Sequence, residues 1–195
     1  MYFSKLLLLV AEITAVAALP SPVALKPRQD VVVVKNGSFN EVMGLGRDLR
    51  INLVYPSGAN GAVMVEYQHG KDRSLLTSQN RAPAPAPAGF FPLEPVSYRM
   101  TMEGTNGGSN FDFLKIDYIL NADKVGKLNI RNGIFAKFNN GQGAFSVATD
   151  GPLEYVSNSE RTMLSMDLGR KGSFDGEWGF FIPTADAIAG GLTTA

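Results

Sequence analysis

Two glutamates stand where a pair of carboxyl groups could do acid–base work. Glu66 lies on the polar side of an alternating run, in Val65-Glu66-Tyr67, and Glu177 lies in Gly176-Glu177-Trp178-Gly179, beside the single tryptophan. Glycoside hydrolysis needs such a pair, one group as acid and the other as nucleophile or base. The only histidine, His69, follows shortly after Glu66. A Ser-His-Asp relay needs just one histidine. No Gly-x-Ser-x-Gly elbow accompanies it, and Gly70-Lys71-Asp72-Arg73 makes His69 read as a surface residue of a polar turn. Asn106, Ser109, Asn110 and Asp112 gather oxygen donors of the kind calcium prefers, with Asp117 and Asp123 further on. Their spacing matches no EF-hand, and turns rich in Asn and Asp have a sufficient backbone reason to exist. Gly44-Leu45-Gly46-Arg47 lacks the third glycine of a dinucleotide fingerprint.

Composition narrows the chemistry further. With no cysteine, thiolate zinc sites, iron–sulfur clusters, disulfides and cysteine nucleophiles are excluded. With one histidine, three-His and two-His metal motifs are excluded too. Lys and Arg number 18 against 18 Asp and Glu, with no long basic run, so nucleic acid is not the expected partner. No metal and no cofactor is expected.

Val65-Glu66-Tyr67 resembles the nucleophile strand of the small jelly-roll xylanases, and Glu177 lies in the later region where that family carries its acid/base residue. The resemblance, which covers a few residues, implies a carbohydrate-active enzyme that uses Glu66 and Glu177. The chain departs from that family in having one Trp and six Tyr where the family lines its cleft with many, and in the residues around Glu177. A lectin-like module would instead need an exposed aromatic platform, for which Trp178, Tyr67 and Phe181 are the candidates.

The elements that must position these residues read as strands. Alternating runs recur at Ile51/Leu53/Tyr55, Val63/Val65/Tyr67, Val96/Tyr98/Met100/Met102, Leu128/Ile130, Ile134/Ala136/Phe138 and Leu164/Met166/Leu168. Val31 to Val34 is a continuous β-branched run, the signature of a strand buried on both sides. Between Phe111 and Ile119 the alternation slips at Leu114, which predicts a bulge. Asn-Gly and Asp-Gly turns separate the runs. The predicted fold is therefore all-β: a single antiparallel β-sandwich, jelly-roll-like, with very little helix beyond one short turn in 184–192.

Around that body the expected organisation is a signal peptide over 1–18, with Lys5 before an apolar run and Val16-Ala17-Ala18 at its end. Residues 19–28 carry three prolines and end in Lys26-Pro27-Arg28, resembling the short pro-segments of fungal secreted proteins that a kexin-like protease removes. The sandwich occupies 29–183, a proline-rich surface loop spans 78–95, and 184–195 is a flexible tail. The apolar stretch near the start is too short to span a bilayer. Asn36-Gly37-Ser38 is an N-glycosylation sequon. Phe90 and Phe91, at the end of the Ala-Pro repeats, either pin the loop to the core or, with Trp178, present a binding surface. The expected role is that of a secreted, fungal-type extracellular protein that binds a protein or cell-wall carbohydrate at a cell surface, a wall or a host target. No catalytic mechanism is evident beyond the Glu66/Glu177 alternative.

Overall fold

Alternation with a period of two gives each strand one apolar face, and two such faces must cover one another. The computed structural model describes residues 32–103, 113–170 and 172–192. In it the chain folds into two packed sheets. The first runs in the order β1 (Val32–Asn36), β3 (Arg50–Val54), β4 (Gly61–Gln68), β8 (Phe113–Leu120), β12 (Thr162–Asp167) and β11 (Leu153–Ser157). The second runs β10 (Ala144–Val147), β9 (Ile134–Asn139), β13 (Gly176–Pro183), β7 (Ser97–Glu103), β5 (Arg73–Asn80) and β2 (Val42–Leu45), with the short β6 (Phe90–Pro92) also paired to β13. Every pairing is antiparallel except β1 against β3.

The inner faces meet in one large core. Ile51, Leu53 and Tyr55 of β3 and its end, Val63, Val65 and Tyr67 of β4, and Tyr98, Met100 and Met102 of β7 all enter it, as the alternation predicts. Phe180 sits among aromatic neighbours, its ring centroid 4.9 Å from Tyr118, 5.0 Å from Phe135 and 5.5 Å from Tyr98. Such tilted and edge-on contacts add to plain area burial. This aromatic density holds the sheets together without disulfides.

A second, smaller cluster lies on the outer side of the second sheet. Ile134, Ala136, Phe145 and Phe181 form it, and Ala84, Ala86, Phe90 and Phe138 pack onto it. The Ala-Pro repeats are thus the cover of this face: extended backbone without N–H groups at the prolines lies across it and presents alanines to the aromatic rings. Ile134, Ala136 and Phe138, which alternate like a core face, point into this outer cluster. Their neighbour Phe135 enters the main core.

Four local expectations give way to structure. β1 is an edge strand rather than one buried on both sides: Val32 is 47% and Val34 67% exposed, because only one face of the valine run is covered. Within β8 no bulge occurs at Leu114; its register with β4 is unbroken from Phe113 to Leu120, and Leu114, Ile116, Tyr118 and Leu120 all face the core. The apparent slip comes from Phe113, an apolar residue on the outer face over which Arg50 stacks at 4.0 Å. Leu128 and Ile130 are buried, but in an irregular connection and not in a strand. Within 78–95, residues 78–80 belong to β5 and Phe90–Pro92 form β6, so the irregular part is shorter than expected.

After β13 the chain turns into α1 (Thr184–Ala189), the one short helical turn expected in 184–192; its Ala187 is fully buried, so the start of the expected flexible tail is docked. The predicted signal peptide and pro-segment lie outside the described residues.

Candidate functional site

Glu66 and Glu177 do not form a pair. Glu66 lies on β4 between Val65 and Tyr67, both of which enter the core, so its side chain is on the outer face of the first sheet. Glu177 lies on β13 next to the buried Trp178, which puts it on the outer face of the second sheet. The two carboxyl groups look away from each other across the whole sandwich. This removes the two-glutamate hydrolase geometry, which needs both groups about 5–10 Å apart on either side of one bond.

Each glutamate instead has a local constellation. Arg50 on β3 donates to Glu66 Oε2 at 2.6 Å. Asn52 is the cross-strand partner of Glu66 on one side and Lys115 on the other. Asp117, one pleat further along β8, is fully buried; Ser165 on β12 donates to its Oδ1, while Oδ2 has no hydrogen-bond partner. Burial pushes the Asp117 carboxyl up to about 7; the nearby Glu66 charge adds to this, and Ser165 and Lys115 pull against it. The carboxyl partner of Glu66 is thus Asp117, which the sequence offers only as a distant calcium donor. Its mark in the sequence is a lone acid inside the apolar run Ile116-Asp117-Tyr118-Ile119. Glu66 and Asp117 are 5% and 0% exposed, so this pair is sealed within the sheet face and closed to a substrate.

Glu177 is itself mostly buried, its side chain 9% exposed, but its partner Arg99 is 60% exposed and the pair lies at a pocket on the outer face. Asn80 Nδ2 and Ser97 Oγ donate to Oε1 at 2.8 and 2.5 Å, and Arg99 Nε donates to Oε2 at 2.8 Å. Burial pushes this carboxyl up, but the hydrogen bonds from Ser97, Arg99 and Asn80 and the Arg99 charge outweigh it and hold the group below the ordinary glutamate value. It is an ionised carboxylate at the floor of a pocket of about 320 Å³ that also involves Arg99, Thr101, Phe138, Asn140 and Gly176.

The aromatic platform is not on the surface. Trp178 is fully buried, its Nε1–H donating to the Phe174 carbonyl at 2.7 Å and the Lys137 ammonium lying 4.8 Å over its ring. Tyr67 and Phe181 are buried in the main and outer clusters. Trp178 therefore has no free face for a sugar, and its proposed binding role is corrected to a core role. His69 is likewise buried and not on the surface; its Nδ1 accepts the Lys71 N–H at 2.8 Å and closes the turn between β4 and β5.

Phe90 and Phe91 are half-buried. Phe90 leans on the outer cluster and Phe91 on the main core, and both are held by pairing of β6 with β13. They also line an apolar groove of about 610 Å³ with Pro92, Leu93, Pro95 and Leu192. Beneath it lies a carboxylate that the sequence did not single out. Glu94 is buried and accepts the N–H groups of Ala59, Asn60 and Gly61 at 2.7, 2.9 and 2.8 Å and the Tyr118 hydroxyl at 2.6 Å.

Asn36 is exposed at the end of the edge strand β1, where a glycan has room. The calcium candidates Asn106, Ser109, Asn110 and Asp112 lie outside the described residues, Asp117 is buried with Ser165, and Asp123 is on a separate 3₁₀ turn beside Lys124. Among the described residues, no group of three or more acids or histidines could hold a metal, and no helix is long and apolar enough to cross a membrane. Comparison of the chain with protein-family models, curated protein sequences and solved structures finds no match in any of the three.

Proposed function

We propose that this chain is a secreted, fungal-type extracellular protein that acts by binding at a cell surface, a cell wall or a host target, with Phe90 and Phe91 in its contact region. The observation that carries the reading is the apolar groove of about 610 Å³ beside these two rings. Its volume and its mainly apolar walls are those of a ligand site. The groove lies on ordered backbone, because β6 is tied to β13 and the loop after it is anchored by Glu94. The leader pattern and the accessible sequon at Asn36 are consistent with an extracellular route. The separation of Glu66 from Glu177 favours binding over the glycosidase alternative.

Purified protein from culture medium would be co-sedimented with intact cells and with washed walls. Retention is expected for the wild type, and Phe90→Ala and Phe91→Ala are expected to lose most of it while remaining folded. Equal retention of the variants would remove the groove from the reading. Release of reducing sugar that disappears in Glu66→Gln would replace binding with hydrolysis. N-terminal sequencing of the same material checks the leader, with Gln29 the expected first residue.

A further inference from the structure

We infer that the pocket around Arg99 and Glu177 on the outer face of the second sheet is a subsite for a neutral sugar. The inference deepens the binding role proposed above and rests on it for the setting in which a sugar would be met.

The argument begins with charge. Glu177 is held ionised by three donors on two strands, Asn80 at the end of β5 and Ser97 and Arg99 on β7. Arg99 meets Glu177 Oε2 through Nε, and its side chain is 60% exposed, so the guanidinium keeps donors for a further partner. One fixed positive and one fixed negative group make the pocket neutral overall. A ligand with net charge of either sign would meet one like charge at contact distance. A ligand with closely spaced hydroxyls can instead donate to the carboxylate and accept from the guanidinium at once. Charge-assisted hydrogen bonds of that kind are the stronger class.

Shape and composition agree. Asn140, exposed in the turn between β9 and β10, brings an amide with both donor and acceptor, and the exposed Thr101 brings a hydroxyl. Phe138 supplies a half-buried aromatic wall, fixed from behind by an edge-on contact with Phe145 at 5.7 Å. Gly176 has a φ of +131°, a backbone conformation for glycine, and the Lys137 side chain lies against it, its Cε 2.6 Å from where a Cβ would stand. About 320 Å³ is room for one or two pyranose rings, and a few convergent polar groups around an aromatic face are what orient a small neutral ligand. Trp178 is buried in the core, and Phe138 is the ring that lines this pocket.

The test uses the whole secreted protein and soluble oligosaccharides of glucose, N-acetylglucosamine, mannose and xylose, followed by calorimetry and by amide chemical shifts. At least one neutral oligosaccharide is expected to bind and to shift resonances of Arg99, Phe138 and Asn140. Arg99→Ala is expected to weaken it by about tenfold or more, the size of one hydrogen bond to a charged group. Asn140→Ala is expected to weaken it less, and because Asn140 is exposed in a turn its melting temperature should match wild type. Sugar binding that neither variant alters overturns the site, as does preferential binding of uronic-acid or sulfated sugars. If no sugar binds while walls or cells still retain the protein through Phe90 and Phe91, the subsite falls and the binding role stands. If sugar binds through Arg99 but neither walls nor cells retain the protein, the subsite stands and the proposed role falls.

Discussion

Glu94 is buried in the protein and held there by hydrogen bonds. Three successive backbone N–H groups and the Tyr118 hydroxyl converge on its two oxygens. A carboxylate loses several kcal/mol of hydration on burial, and donors of this number and distance offset the loss. The loop it binds has adapted to it: a Cβ on Gly58 would lie 2.7 Å from Glu94 Cδ. Glu94→Ala leaves three amides and a hydroxyl without their acceptor, which should cost about 3–5 kcal/mol. For a chain of this size the melting temperature should fall by roughly 10 °C. Gly58→Ala should move it in the same direction by pushing the carboxylate out of its cradle. Differential scanning calorimetry reads both, and a Gly58→Ala protein as stable as wild type would show that the loop tolerates displacement. None of this is legible in the sequence. Glu94 sits between leucine and proline with no motif, and the groups that hold it come from far along the chain, the amides from more than thirty positions away and the Tyr118 hydroxyl from 24. Glu66 is the reverse case, because its place on the polar side of a strand follows from Val65 and Tyr67. Which acid faces it depends on how β4 pairs with β8, and that pairing is non-local.

At the scale of elements, the Ala-Pro segment has a structural task that its composition hides. It covers Phe145 and Phe181, rings that would otherwise be exposed on the outer face of the second sheet. Phe145→Ala should therefore act in two ways. It should lower the melting temperature less than Phe180→Ala, which opens the main core and should cost about 3–5 kcal/mol. It should also loosen the cover, so that a protease cuts within 81–89 at a faster rate. Limited proteolysis followed by mass spectrometry checks this, and unchanged cleavage would mean that the loop is held by β6 alone. The strands themselves are legible where one face is the less covered: β3 and β7 alternate in burial as they do in sequence, whereas β4 and β12 alternate in sequence but are buried on both faces. The reading fails where a face has an unusual cover. β9 alternates toward the outer cluster instead of the core, and β8 looks irregular because Phe113 is stacked under Arg50 and Lys115. The valine run that enters β1 signals full burial, yet the strand lies at the edge of its sheet. Side-chain pattern reports hydrophobicity, and the position of a strand within its sheet is set by partners that the pattern does not name.

For the molecule as a whole, the two outer faces impose opposite pH dependences. Asp117 is buried beside Glu66, with Lys115, Arg50 and Ser165 around the pair, and its folded value of about 7 lies above the 3.8 of an ordinary aspartate. Folding therefore favours its protonated form. The contribution is full below 3.8 and is lost as the pH rises through about 7. Glu177 on the other face is held below its ordinary 4.5, so folding favours its ionised form. That contribution is present above 4.5 and is lost as the pH falls through the lowered value. Stability should then be greatest in weakly acidic solution, with a limb on each side that belongs to a different sheet. Melting temperature measured from pH 3 to pH 8 should show the dome. Asp117→Asn should flatten the limb toward neutral pH and leave the acid limb in place, because the amide keeps the shape and cannot ionise. Arg99→Gln should act in reverse, weakening the acid limb by removing the cation beside Glu177. A wild-type melting temperature that stays level between pH 5 and pH 8 would mean that Asp117 ionises without penalty. The orphan oxygen on Asp117 would then have a partner in solution, and the sheet face over Glu66 and Asp117 would be open to water.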